Sequence, residues 1–336
     1  MPRKWQLMSV HSHLLLWSAI ALALVLAGYG LARRDPRWLD RLRAALAYLR
    51  AALLRSASAL LPRVRRLATS APEPRPIVPR VRRKRRSRAA AECAYPIVLA
   101  HGWMAVDALA LPGMRQEYFR GVREHLQARG HRVYVSRVSP FSGIRRRAEQ
   151  LAEQLASIDA EKVNIIAHSM GGLDARYAIS RLGMAGRVAS LTTIGTPHRG
   201  TPLADTSLIV RELPLLRRAL ISQFGLDFAG LYDLTTAQMM GFNDAVPDVR
   251  EVRYASYVGW VRGGVRDVHA LLAPGFAYLS RRTGHNDGMV PAASQRWGQV
   301  LGEVHADHWA QIGWSRGLDA KSFYAAVARA LADSGL

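Results

Sequence analysis

The strongest constraint on the fold is an alternation of short apolar runs and amphipathic segments along much of the chain. Runs rich in Val, Ile and Leu are typical of buried strands, and apolar residues every three or four positions are typical of helices. Strands separated by helices indicate a parallel α/β sheet covered on both faces, with functional residues at the carboxyl ends of the strands. The predicted strands are 96–100, 131–138, 163–167, 188–195 and 252–259, and the predicted helices are 114–129, 145–158 and one that begins with 173–180.

A serine stands at the end of the third predicted strand, in the sequence AHSMGG. A sharp strand-to-helix turn would expose this residue, Ser169, and such a turn needs small residues two positions before and two after it. Ala167 and Gly171 meet that requirement. The Met170 amide, at the positive end of the following helix, would face a developing anion. The pattern predicts a nucleophilic serine, whereas a plain strand-to-helix turn is the alternative.

A serine hydrolase of this layout needs a second oxyanion donor from the loop after an earlier strand. The first predicted strand runs directly into His101, Gly102 and Trp103. Gly102 lets the backbone turn, and the Trp103 amide is the candidate donor. We assign His101 and Gly102 to the substrate-binding loop, with the His101 side chain expected to fix that loop by hydrogen bonds.

The base and its orienting acid should follow the serine along the chain. Asp287 lies at the centre of the polar turn GHNDGMVP, and His308 lies in GEVHADHWAQIG, 21 residues later. We choose Asp287 as the acid and His308 as the base, with His305 on the same loop as the alternative base. The remaining histidines are expected to be surface or turn residues; they are His198, His269 and His285.

Five strings in this order resemble a known family. HGW, AHSMGGLDARY, TTIGTPHRGTPLAD, NDGMVP and DHWAQIGW are similar to motifs of bacterial triacylglycerol lipases of the Pseudomonas–Burkholderia type, in the α/β-hydrolase superfamily. The resemblance covers about residues 95–335. It implies an α/β-hydrolase fold, cleavage of carboxylic esters, a triad of Ser169, Asp287 and His308, and oxyanion amides from Trp103 and Met170.

The chain departs from this family in three places. Ala167 replaces the first glycine of the serine motif, which is a sterically acceptable change. The family's structural calcium uses an acidic residue two positions after the catalytic histidine, and here that residue is Ala310. The family's disulfide cannot form because Cys93 is the single cysteine. We therefore expect no metal and no other cofactor.

Between about residues 200 and 250 the strand pattern stops, and apolar residues recur at helical spacing with few charges. In this fold such an insertion caps the active site. An amphipathic lid would expose an apolar face to lipid. A cap subdomain that stays packed on the domain is the alternative to one that opens at a lipid surface.

The first 34 residues read as a membrane anchor. Residues 14–32 carry no charged side chain, and 19 residues span about 28 Å as a helix, close to the hydrocarbon thickness of a bilayer. The alternative is a cleaved signal peptide of a secreted or periplasmic enzyme. Six arginines follow the span closely, against two cations before it, so the positive-inside rule favours a cytoplasmic domain.

Residues 35–91 read as a tether, and the catalytic domain is assigned to 92–336. Residues 1–90 hold 20 Lys and Arg against 3 Asp and Glu, so most of the net charge of +22 lies there. Residues 35–61 suit a basic amphipathic helix, either on anionic lipid or packed on the main domain. The Pro- and Arg-rich stretch after it predicts a disordered linker, and the basic residues between 33 and 88 are expected to contact the membrane rather than nucleic acid.

Two other functions use the same sequence features. A lipid acyltransferase would pass the acyl group from the same triad to an alcohol instead of water. A non-catalytic basic protein would bind membrane or nucleic acid through residues 1–90 and keep the hydrolase domain as a relic. The oligomeric state is not predicted by any feature of the sequence.

Overall fold

The computed structural model describes residues 92–103, 117–206 and 229–336. The chain divides into two units between residues 88 and 89, and every described residue lies in the second. The predicted anchor, the amphipathic helix and the basic linker lie outside the described residues and stay predictions. Among the residues that are described, no helix combines the length and the apolar character that crossing a membrane requires.

The described domain is built on a parallel sheet of six strands, as the alternating pattern predicts. The spatial order is β2-β1-β3-β4-β5-β6, and every neighbouring pair runs parallel. Parallel neighbours need crossover connections, which is why helices separate the strands in the sequence. The strands are β1 (Ile97–Ala100), β2 (Val133–Val135), β3 (Val163–His168), β4 (Val188–Ile194), β5 (Arg253–Gly259) and β6 (Gln299–Val304).

Helices occupy the connections and the C-terminus. Three short 3₁₀ segments, Met184–Arg187, Val265–Asp267 and Ala310–Ile312, complete the helical structure of the described residues. The α-helices are α1 (Val122–Gln127), α2 (Ile144–Ser157), α3 (Gly171–Arg181), α4 (Pro202–Thr206), α5 (Ala229–Asp233), α6 (Thr236–Ala245), α7 (Ala273–Thr283), α8 (Ala292–Gln295) and α9 (Ala320–Asp333).

The two faces of the sheet bury separate apolar cores, because successive residues of a strand point to opposite faces. In β1, Ile97 and Leu99 belong to a core shared with α1 and α9. Val98 and Ala100 belong to a core shared with α2 and α3. This double coverage explains why every residue of β1, β3 and β4 is buried, without the alternation of buried and exposed residues that a strand with one solvated face shows.

Strand β2 is shorter than the predicted strand 131–138. The Ser136 amide still bonds to β1, through the Leu99 carbonyl at 2.9 Å. Beyond it, the amides of Arg137 and Ser139 bond to glutamine side chains of α2 instead of continuing the ladder. Side-chain acceptors therefore end the strand.

The predicted cap lies between β4 and β5, and its described part is helical. It comprises α4, α5 and α6, with residues 207–228 between α4 and α5 outside the described residues. The side chain of Thr235 caps α6 by accepting a bond from the Gln238 amide, and Asp205 of α4 accepts bonds from Thr236. These bonds join the start of α6 to α4.

Candidate active site

Ser169 occupies a strained turn between β3 and α3. Its φ is +55°, and it is the one non-glycine residue with positive φ among the described residues. A β-carbon on Gly171 would lie 2.5 Å from the Ala100 carbonyl oxygen, and one on Gly172 would lie 2.4 Å from the Thr196 hydroxyl. Gly171 allows α3 to start this close to β1, Gly172 allows it to pass this close to the segment after β4, and the turn places the Ser169 hydroxyl at the carboxyl end of β3.

Ser169, His308 and Asp287 form one hydrogen-bonded path. His308 Nε2 lies 3.0 Å from Ser169 Oγ, and His308 Nδ1 lies 2.7 Å from Asp287 Oδ2. Because a carboxylate only accepts, the neutral ring donates from Nδ1 and leaves Nε2 to accept the serine proton. Asp287 and His308 are almost fully buried, and Ser169 is 9% exposed.

Asp287 is held by four further donors. Its Oδ1 accepts bonds from the amides of Met289 and Val290, at 3.0 and 2.8 Å. Its Oδ2 accepts bonds from the side-chain amides of Gln295 and Gln311, at 3.3 and 3.0 Å. Donors on both oxygens stabilise the ionised carboxylate and fix its direction toward the histidine ring.

His305 lies away from Ser169, on the protein surface. The Arg262 guanidinium donates to His305 Nε2 at 2.8 Å, and the His305 ring meets the edge of Trp260 at 4.5 Å between centroids. The structure thus brings His308 rather than His305 to the serine.

The loop after β1 passes directly beside the serine. A β-carbon on Gly102 would lie 2.6 Å from the Ser169 β-carbon, so this approach requires glycine. The buried His101 ring lies 3.0 Å from the Gly102 carbonyl and accepts a bond from the Val138 amide at 3.3 Å. Burial, and then the charge of Arg147, lower the pKa of His101 from 6.5 to about 4. The ring is therefore neutral near pH 7.

Arg147 of α2 holds the loop that carries His101 through hydrogen bonds. The side chain is completely buried and donates to the His101 carbonyl at 2.7 Å and to the Ser139 carbonyl at 2.9 Å. It also pairs with Asp174 of α3 at 2.8 Å. Burial outweighs the attraction of Arg147 and raises the pKa of Asp174 to about 6. One guanidinium thus connects the loop of His101, the end of β2 and the helix that follows Ser169.

His168, the residue before Ser169, packs against the ring of His308. The ring centroids of His168 and His308 are 4.5 Å apart, and the Tyr118 hydroxyl lies 2.7 Å from His168 Nδ1. Complete burial, and then the nearby His308, lower the pKa of His168 well below its ordinary value. A neutral ring at this position adds no charge beside His308.

Sequence reasoning missed several of these contacts. Gln311 lies three residues after His308, one 3₁₀ turn along the chain, so spacing was its one available signal. Arg147 and Tyr118 gave no signal, because only tertiary packing brings them to the site. His198 lies in a turn, one of the two places expected for it, but not at the surface. It is completely buried, with its ring 3.1 Å from the Thr193 hydroxyl.

An apolar cluster packs the cap against Met170, the residue that follows Ser169. Met170 is completely buried in a cluster that includes Leu234 and Met239 from the cap, and Trp103 packs against the cluster. A β-carbon on Gly230 of α5 would lie 2.8 Å from the Trp103 ring, so cap and loop are in close contact.

The region around Ala310 does not fit a calcium ion. Ala310 is completely buried in an apolar cluster with Val304 and Ala306, and its amide donates to Asp307 at 2.8 Å. Calcium takes six to eight oxygen ligands. Within the described ranges, no three carboxylate, imidazole or thiol side chains are grouped so that they could hold a metal. The expectation that the chain needs no cofactor stays a prediction.

Comparison with known proteins gives matches over this same domain. Residues 144–243 match the family described as PGAP1-like alpha/beta domain. Triacylglycerol lipase 2 of Saccharomyces cerevisiae is 36% identical over 217 residues, which cover 60% of this chain and 64% of the yeast protein. A triacylglycerol lipase of Pseudarthrobacter phenanthrenivorans is 30% identical over 282 residues, which cover 64% of this chain and 86% of that protein.

Solved structures give the same fold. The crystal structure of a metagenomic carboxyl esterase, MGS0156, aligns with a TM-score of 0.60 at 23% identity and covers 79% of this chain and 81% of its own. The mature form of Bacillus licheniformis lipase BlEst2 aligns with a TM-score of 0.55 at 23% identity, over 73% and 94%. At this identity the likeness concerns the fold alone.

Proposed function

The chain belongs to the triacylglycerol lipase family of the α/β-hydrolase superfamily and is a carboxylic ester hydrolase, and from this premise we propose that it cleaves lipid acyl esters through an acyl-enzyme on Ser169. The observation that carries the proposal is the unbroken path from the Ser169 hydroxyl through His308 to Asp287, at 3.0 and 2.7 Å. It starts at a strained turn that presents the hydroxyl toward His308 at the carboxyl end of β3.

In the first half-reaction, Ser169 Oγ attacks the ester carbonyl carbon while its proton passes to His308 Nε2. Asp287 keeps the ring oriented and stabilises the imidazolium that forms. As the tetrahedral intermediate collapses, His308 gives the proton to the departing alcohol, and the acyl group remains on Ser169. In the second half-reaction a water molecule repeats these steps and releases the fatty acid.

We assign the oxyanion donors to the amides of Trp103 and Met170. Met170 directly follows Ser169 at the start of α3, where the helix dipole also favours negative charge. Gly102 brings the Trp103 segment within van der Waals contact of the serine, and His101 and Arg147 hold that segment in place. Donors that are fixed before the reaction stabilise the developing charge without reorganising.

The proposed substrates have an apolar acyl chain. The apolar cluster that includes Met170, Leu234 and Trp103 is closed by packing against the cap, and we propose that it faces such a chain when the cap moves at a lipid surface. Because the cap contributes to this cluster, we propose that α4, α5 and α6 shape the acyl site. Membrane attachment through residues 14–32 and the basic residues that follow stays part of the proposal.

The test uses the purified full chain with p-nitrophenyl esters of increasing acyl length and a fluorophosphonate label. We expect hydrolysis that improves with acyl length, labelling at Ser169, and loss of nearly all activity in Ser169→Ala with an unchanged melting temperature. A Ser169→Ala protein that hydrolysed these esters at the wild-type rate would overturn the proposal.

Product analysis with an added long-chain alcohol separates hydrolysis from acyl transfer. A hydrolase releases mainly free fatty acid in the presence of the alcohol, whereas an acyltransferase forms mainly the new ester. Extraction of the full chain from membranes with alkaline carbonate, followed by sequencing of its N-terminus, tests the anchor against a cleaved signal peptide. We expect retention in the membrane with residues 14–32 intact.

A further inference from the structure

Asp307, the residue immediately before His308, is a buried carboxylate with a dense set of donors. It is 1% exposed, and both of its oxygens accept hydrogen bonds. Oδ2 accepts a bond from the His269 amide at 2.8 Å. Oδ1 accepts bonds from the amides of Trp309 and Ala310 at 3.0 and 2.8 Å and from the Ser315 hydroxyl at 2.5 Å.

A carboxylate in such a place is costly unless its oxygens are satisfied. None of the ion pairs between described residues includes Asp307. Four donors take the place of water around the Asp307 carboxylate, and three of them are backbone amides. Backbone donors cannot turn away without a change in the chain path, so the carboxylate fixes the conformation of the turn that carries His308.

The same carboxylate joins two loops. The His269 amide belongs to the loop between β5 and α7, whereas Trp309, Ala310 and Ser315 belong to the loop between β6 and α9. The rings of His269 and Trp309 pack beside this bond, with centroids 4.8 Å apart. The segment that carries His308 is therefore held both by hydrogen bonds within itself and by a hydrogen bond to a neighbouring loop.

We infer that Asp307 is the positioning residue of His308 and takes the place of the structural calcium that the family resemblance implies. The position that would supply the acidic ligand is Ala310, which is apolar, completely buried and donates its amide to Asp307. Internal hydrogen bonds thus hold the histidine loop without a bound cation. This inference rests on the proposed function, in which His308 accepts the proton of Ser169.

The experiment compares Asp307→Asn with Asp159→Asn. An asparagine at 307 has nearly the same side-chain shape, but one of its two oxygens is replaced by an NH₂ group, which cannot accept a hydrogen bond. At least one of the four donors then loses its acceptor, and we expect the loop segment that carries His308 to shift. Asp159 is exposed at the end of α2, and its replacement changes the net charge equally. We expect kcat of Asp307→Asn to fall about tenfold or more while KM changes by about twofold or less, because the shift affects the transition state more than binding. Asp159→Asn should match the wild type.

A milder variant covers the case in which Asp307→Asn does not fold. Ser315→Ala removes one of the four donors and should lower kcat by about twofold to fivefold, again with KM nearly unchanged. In parallel, EDTA and added Ca²⁺ should leave the kcat and the melting temperature of the wild type unchanged.

Two results would overturn the inference. One is variants at 307 and 315 that fold and keep the wild-type kcat. The other is a wild type that EDTA inactivates and Ca²⁺ restores. Both are distinct from failure of the proposed function, which would appear as an absence of ester hydrolysis and of fluorophosphonate labelling at Ser169 in the wild type.

Discussion

Arg147 and Asp174 form an ion pair in which both side chains are almost completely buried, with 2.8 Å between Nη2 and Oδ2. The pair joins α2 to the helix that follows Ser169, and the same guanidinium holds the His101 carbonyl. A buried ion pair adds little net stability compared with apolar residues, but removal of one partner leaves the other charge buried and uncompensated. The arrangement therefore makes both the stability of the domain and the path of the loop that carries His101 depend on Arg147.

Arg147→Met should lower the free energy of unfolding by about 3–5 kcal/mol, because Asp174 and the His101 carbonyl lose their buried partner. Urea denaturation followed by circular dichroism measures this change. Arg146→Met, one residue earlier, is the matched control because the Arg146 side chain is 67% exposed, and it should change the stability little. Equal midpoints for the two variants would contradict the role of the buried pair.

His308→Gln should lower kcat/KM by about 10³-fold or more, because Ser169 loses the base that takes its proton. His305→Gln should leave kcat/KM near the wild-type value, since His305 contacts Arg262 and Trp260 on the surface. Steady-state hydrolysis of a p-nitrophenyl ester measures both. The assignment of the base is wrong if the His305 variant is the inactive one.

Gly102→Ala should lower kcat/KM by about 100-fold, because the new β-carbon would lie 2.6 Å from the Ser169 β-carbon and push the loop that carries the proposed oxyanion donor away from Ser169. Gly241→Ala in α6 is the matched control, since a β-carbon there meets no atom within 4 Å. The melting temperatures of the two variants show whether the loss arises at the site. Activity retained in Gly102→Ala would show that the loop lies elsewhere during the reaction.

The free energy of unfolding should fall as the pH drops from about 6.5 to about 4. His101 takes up its proton near pH 4 in the folded state and near pH 6.5 when unfolded, so acid favours the unfolded chain, by about 3 kcal/mol for this group. His168 and His198 act in the same direction, because burial lowers the pKa of each. Asp174 acts in the opposite direction, since its pKa is raised to about 6. Among these four buried groups, the three histidines outweigh Asp174, so we expect a net loss of stability in acid.

Urea unfolding at about pH 7 and about pH 5 measures this slope. His101→Gln should flatten it, whereas His305→Gln, which replaces an exposed ring, should leave it unchanged. A midpoint that rises toward acid in the wild type would contradict the sign of the prediction.

Local rules account for much of what the sequence predicted. The alternation of apolar runs and helical segments predicted five of the six parallel strands, and the signal is strong at β1, β3 and β4 because burial on both faces favours apolar residues at successive positions. The serine turn was predictable for a related reason. A positive φ at Ser169 is tolerated where small neighbours clear the chain, and that requirement can be read from AHSMGG directly.

The choice between His305 and His308 could not be read in this way. The two residues lie three positions apart on one loop, and the conformation of that loop follows from contacts with distant segments. Asp307 bonds to the His269 amide, and the His308 ring bonds to Asp287. These contacts between loops direct the His308 ring toward Ser169, whereas the His305 ring packs on Trp260 at the surface. Arg147 likewise bonds to the His101 carbonyl, 46 residues away in the chain. Sequence alone determined the strand order along the chain and the strained serine, because both depend on local sterics and apolar periodicity. Tertiary structure alone decided which side chains meet that serine, because hydrogen bonds between segments far apart in the chain leave no periodic trace in the sequence.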